Sequence, residues 1–167
     1  MTVTSILTAP LQERKSPVRG AFAVSKDDDL TLEFAGYRPH PVHKVPTYYF
    51  RMVHRDSKEE LGSINLRVAS TPHIELYAGH IGYGVHPASR GHRYAARGTR
   101  LLIPLARELH LNLLWITTDP DNIASRRSCE LAGAKLIEIV DVPATCIIHR
   151  DGHPKKCRYR LLVTSTD

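Results

Sequence analysis

The stretch Gly79-His80-Ile81-Gly82-Tyr83-Gly84-Val85-His86-Pro87-Ala88-Ser89-Arg90-Gly91-His92-Arg93-Tyr94-Ala95 decides how the chain is read. Its first half has the character of a strand and its second half is a tight, basic turn. Helix-period sequence follows at once, over residues 94–110. There Leu101, Leu105 and Leu109 repeat at four residues, and Leu102 and Ala106 widen the apolar stripe. Pro104 falls inside that helix, where a proline removes one intrahelical bond at about 3 kcal/mol, so a kink is expected. A turn that feeds a helix aims backbone N–H groups and the positive end of the helix dipole at one spot. Such a spot suits an anionic group, a phosphate for example.

Downstream, residues 111–117 are almost continuously apolar, as in a strand buried on both faces. Strand, helix and buried strand predict a right-handed βαβ unit with parallel strands. Asp119-Pro120-Asp121-Asn122 is a turn with N-cap chemistry. It opens a short helix over 123–131 that Gly133 closes. Strands are expected at 135–140 and 158–164, joined by a long connection containing Pro143 and Asp151-Gly152-His153-Pro154.

Upstream, Asp27-Asp28-Asp29 is a turn ahead of a strand at 30–34, and three prolines within 39–46 make a loop. Strands at 47–54 and 61–68 form a hairpin across a short polar link. Ser70-Thr71-Pro72-His73 then turns the chain into a strand at 76–86. Residues 1–17 read as a loose arm. The organisation is one α/β domain over 1–167, built on a mixed, mostly antiparallel sheet with the parallel βαβ unit at its centre.

With 167 residues, 42% hydrophobic and 24% charged, the chain has the composition of a globular protein with a real core. No apolar run approaches the roughly 20 residues of a membrane span. No secretory signal is evident at the N-terminus. Three cysteines, Cys129, Cys146 and Cys157, show no C-x-x-C spacing, so a reducing cytoplasm is the expected compartment. A net charge of +6 with ten histidines favours an anionic partner.

Residues 85–95 resemble the acetyl-coenzyme A loop of the GNAT acetyltransferases, usually Q/R-x-x-G-x-G/A, with Arg90 at the first motif position and Ala95 at the last. Asn122-Ile123-Ala124-Ser125 followed by Gly133 is similar to the family's asparagine-led helix. Ile81-Gly82-Tyr83 resembles the ribosomal-protein N-terminal acetyltransferase branch. The resemblance implies a GNAT-like fold and acetyl-CoA as co-substrate. The backbone of Arg90, Gly91, His92, Arg93, Tyr94 and Ala95 would hold the pyrophosphate, and the main chain near Val85 and the Asn122 side chain would meet the pantetheine arm. The sequence departs from the motif at Arg93, which stands where the family has its inner glycine. A left-handed backbone there would cost a non-glycine residue about 1–2 kcal/mol.

The implied reaction is acetyl transfer to a primary amine, which needs a base for the nucleophile and a donor for the departing thiolate. His80 is the candidate base by its intrinsic pKa and its alignment with an acidic residue of that branch, with Glu75 behind it. Cys129 and Tyr83 are the candidate acids. In a regular strand Tyr83 faces away from His80, so both serve one site only across a bulge, which Gly82 and Gly84 permit. Tyr48, Tyr49 and Phe50 are candidates for either an acceptor wall or core. His80, His86, His40 and His43 lack further ligands at recognised spacing, so no metal is expected. A small molecule or a peptide N-terminus remains open as acceptor, and so does a homodimer. The alternatives are a basic nucleic-acid-binding module and an acyl-CoA binder without turnover. The chain carries no helix-turn-helix or aromatic-glycine RNA motif.

Overall fold

The computed structural model describes residues 25–163; the expected arm at 1–17 lies outside them. Alternating apolar residues build a meander of antiparallel strands: β1 (Ser25–Asp27), β2 (Leu30–Pro39), β3 (Pro46–His54), β4 (Glu60–Arg67) and β5 (Ile81–Val85). These form a five-stranded sheet in sequential order. A second sheet has β6 (Leu113–Thr118), β7 (Lys135–Asp141) and β8 (Lys155–Leu162) in the order β6-β8-β7. Helices α1 (Tyr94–Leu101), α2 (Ile103–Glu108), α3 (Ile123–Leu131) and α4 (Ile147–Arg150) complete the described elements. None of the described helices is long and apolar enough to cross a membrane.

The main core lies between the first sheet and the helices. Leu32, Met52, Ile64, Leu66, Leu102, Leu114, Ile116 and Tyr159 are buried in it. Gly98 of α1 lies on the sheet, where an added Cβ would come within 3.2 Å of Met52 Sδ, so α1 sits close. A smaller cluster of Ile74, Ala78, Val142 and Ile148 packs away from it.

Three expectations are corrected. The strand expected at 76–86 begins only at Ile81, because Ile74–Ala78 forms a turn of π-helix that ends at Gly79 in a left-handed conformation (φ 72°). The helix at 94–110 is two helices, broken at Leu102, so Pro104 falls in the first turn of α2, where its missing N–H costs nothing. The parallel pairing of β5 with β6 is reduced to one point. His80 N–H donates to the Trp115 carbonyl at 2.6 Å, and Trp115 N–H donates to His80 Nδ1 at 2.9 Å. Beyond that point β5 pairs only with β4 and β6 only with β8, so the two strands part and the β5 edge faces the gap.

Candidate active site

The gap between β5 and β6 is a cavity of about 320 Å³. Ile81, Gly82 and Tyr83 line it from β5 and Ile116 and Thr117 from β6, with Ser125 of α3 beside them. Its far part is made by His43, Arg67, Tyr77, Ile148, Asp151, His153 and Lys156. Strand alternation explains the division. Ile81 and Tyr83 pair across from Leu66 and Ile64 on the helix-covered face, whereas Gly82 pairs with Asn65 on the opposite face.

Tyr83 and Cys129 come together as the candidate acids. The Tyr83 hydroxyl lies 2.8 Å from Ser125 Oγ and 3.8 Å from Cys129 Sγ, and it donates to the Ser125 carbonyl at 3.2 Å. Burial pushes the Tyr83 pKa upward, with Cys129 adding to it, so the phenol stays protonated at neutral pH. Burial likewise pushes Cys129 up to about 11, and this residue is 1% exposed behind the tyrosine. Tyr83 alone of the two reaches the cavity.

His80 is placed elsewhere. Its ring is 1% exposed at the point where β5 and β6 part, and its Nδ1 is occupied by Trp115 N–H. Burial holds its pKa down to about 4. The pairing of β4 with β5 is regular, with no bulge to swing His80 toward Tyr83. Glu75 lies in the π-helical turn, where its carbonyl accepts from Arg158 Nε at 3.0 Å. Tyr48 and Phe50 are core, and Tyr49 lies on the other face.

A second histidine stands in the cavity wall. His153 Nδ1 is 2.6 Å from Asp119 Oδ2, and Lys156 Nζ donates to Asp119 Oδ1 at 2.7 Å. Burial pushes the Asp119 carboxyl up, but Lys156 and His153 outweigh it and hold it below its ordinary range. An imidazole whose Nδ1–H is held by a carboxylate presents Nε2 as an acceptor. No local pattern signals this pair: its members are 34 residues apart and each sits in a turn that reads as local chemistry.

The loop after β5 has the shape an anion needs. Arg93 keeps a left-handed backbone (φ 61°, ψ 25°) despite its side chain, and Gly91 has φ 92°. No described residue accepts a hydrogen bond from the N–H groups of Gly91, His92, Arg93, Tyr94 or Ala95. Behind the loop Arg97 donates to Asp27 Oδ2 at 2.9 Å, to Asp29 Oδ1 at 2.5 Å and to the His92 carbonyl at 3.3 Å, tying loop, helix and first hairpin together. Asn122 caps α3, its Oδ1 accepting from Ser125 N–H at 3.1 Å. A row of unpaired N–H groups, an unpaired strand edge and an open gap at their junction fit a pyrophosphate, an extended amide arm and a thioester in that order. Among the described residues no group of three or more His, Cys, Asp or Glu side chains is arranged to hold a metal ion.

Residues 15–135 match the family model of the acetyltransferase (GNAT) domain. The chain belongs to the GNAT acetyltransferase family. Solved GNAT structures share its fold. An acetyltransferase (GNAT family) from Bacillus anthracis is 20% identical, with a TM-score of 0.53 over 69% of this chain and 66% of that one. The ribosomal-protein-S5-alanine acetyltransferase from Vibrio fischeri is 15% identical, with a TM-score of 0.56 over 72% and 64%. The microcin C7 self-immunity acetyltransferase, solved in complex with acetyl-CoA and AMP, is 13% identical, with a TM-score of 0.54 over 70% and 61%. The chain thus spans slightly less than two thirds of the length of these GNAT structures. No curated protein matches it in sequence.

Proposed function

We propose that this GNAT protein transfers an acetyl group from acetyl-CoA to a primary amine. The observation that carries the reading is the gap itself, which has an acid–base pair on its two walls: Tyr83 by α3, and His153 held by Asp119. Acetyl-CoA would supply the thioester. The N–H groups of Gly91 to Ala95, with Arg90 at the entry of the turn, would hold its phosphates, and the β5 edge up to Val85, with Asn122 opposite, would hold its amide arm.

In this proposal the acceptor enters from the far part of the cavity, where His153 Nε2 takes the proton of the attacking amine. The His153–Asp119 contact keeps the imidazole in one tautomer and stabilises it once it is charged. Tyr83, protonated and hydrogen-bonded to Ser125, supplies a proton to the departing thiolate. His80 is assigned to the frame rather than to proton transfer, and Cys129 to the packing behind Tyr83. Alignment of amine and thioester across a fixed gap contributes a share of the rate on its own.

Calorimetric titration with acetyl-CoA, followed by thiol release with a panel of amines, tests the reading. Saturable binding with amine-dependent thiol release is expected. Binding without release from any amine would leave only an acyl-CoA binder, and absence of binding would remove both.

A further inference from the structure

Four buried side-chain atoms among the described residues have no hydrogen-bond partner: Tyr49 hydroxyl, Asn65 Oδ1, Arg67 Nε and His80 Nε2. Tyr49 of β3 and Asn65 and Arg67 of β4 share one sheet face, and His80 stands just before β5 beside Arg67. Tyr49 pairs with Asn65 and Asn65 with Gly82, and Arg67 N–H donates to the His80 carbonyl. This is the face from which the acceptor side of the cavity is built.

Arg67 is the centre of the group. It is 8% exposed, and its Nη1 donates to the carbonyls of Ala78 and Gly79 at 2.8 and 3.0 Å. Its Nη2 has no partner among the described residues. It lies against Gly82, where a Cβ would come within 2.7 Å of it, so only glycine leaves the guanidinium this place in the gap. No described carboxylate lies within ion-pair distance of Arg67, and an uncompensated buried cation is costly. The other cavity cation, Lys156, is already paired with Asp119. Asp151 lines the cavity from the end of α4, and its carboxylate makes no ion pair among the described residues.

Resting on the acetyltransfer reading above, we infer that Arg67 is an anion subsite and that the acceptor is a primary amine carrying a carboxylate, as in a free amino acid. A planar carboxylate matches the guanidinium's donor geometry, and a monoanion balances its single charge. The acceptor's ammonium group then falls toward Asp151 and His153, where it loses its proton before attack. A peptide N-terminus lacks the nearby carboxylate and leaves Arg67 unpaired, which disfavours that class of acceptor.

The test is thiol release by the wild-type protein with acetyl-CoA and matched acceptors: free α- and β-amino acids, the same compounds as C-terminal amides, and their aminophosphonate analogues. The amino acids are expected to exceed their amides by about tenfold or more in kcat/KM. Arg67→Gln is expected to raise KM for the amino acids and erase that preference while the acetyl-CoA Kd is unchanged, and Arg67→Lys to restore part of it. Amides used as well as amino acids would overturn the inference, and so would a preference for phosphonates. So would an equal loss of kcat on all acceptors in Arg67→Gln, which would place Arg67 at the thioester instead. No release from any amine would instead bring down the acetyltransfer reading and this inference with it. If Arg67→Gln fails to fold, the wild-type comparison decides.

Discussion

His80 and Trp115 hold each other twice, main chain to main chain at 2.6 Å and Trp115 N–H to the His80 ring at 2.9 Å. The ring stands in for a ladder carbonyl and satisfies the Trp115 N–H, and beyond this point the two strands no longer pair. His80, the candidate base of the sequence reading, thus sits buried in the frame where β5 and β6 part.

Its titration follows from that position. The folded-state pKa of about 4 lies below the ordinary 6.5, so between these values the unfolded chain binds the proton and the folded one does not. The stability contribution is complete above about pH 6.5 and is lost as the pH falls toward 4, by about 3 kcal/mol. Urea denaturation at several pH values should show a shallower acid decline for His80→Asn than for wild type, since the wild-type excess belongs to this ring. Parallel declines would contradict the assignment.

His153→Gln should lower kcat by about 10²–10⁴ with acetyl-CoA affinity retained, as for loss of a general base. Asp119→Asn should give a smaller loss, because it unsettles the tautomer without removing the imidazole. An unchanged kcat in both variants would move the base elsewhere.

Tyr83→Phe should slow turnover by about tenfold to a hundredfold, with the larger effect on acetyl donors whose thiol is the poorer leaving group. Cys129→Ala should leave the rate within about twofold and cost about 1 kcal/mol of stability, as expected of a small buried side chain. Reversal of the two results would make the thiol the donor.

Arg93→Gly should stabilise the fold by about 1 kcal/mol, or a few degrees in Tm, because it relieves a left-handed side-chain-bearing residue. Scanning calorimetry reads the shift. Acetyl-CoA affinity in the same variant, measured at two salt concentrations, shows how much the Arg93 charge adds beside the phosphates.

The fold was legible where periodicity and turn chemistry are local. Residues 47–54, 123–131 and the turn at 90–93 are recognisable from their own patterns, and Arg93 could be flagged because it stands where the resembled loop motif has a glycine. Residues 74–78 were not legible, since a π-helical turn has no pattern distinct from a short apolar strand. Pro104 announced a disruption, but only the geometry shows that a new helix starts there. The His153–Asp119 pair and Arg67 escaped for one physical reason. His153, Asp119 and Arg67 meet only because β4, β6 and the connection before β8 converge, and no spacing within the chain encodes that meeting.

The strand order β6-β8-β7 sets a schedule for assembly. The five-stranded sheet joins neighbours in sequence, so each hairpin can close as soon as its second strand exists. In the other sheet β7 and β8 are likewise consecutive, but β6 has no partner strand until β8, the last of the described strands, inserts between it and β7. During synthesis the loop at 90–95 can therefore form well before the wall of the gap that carries His153 and Lys156, which is completed only once residues 155–162 have been made.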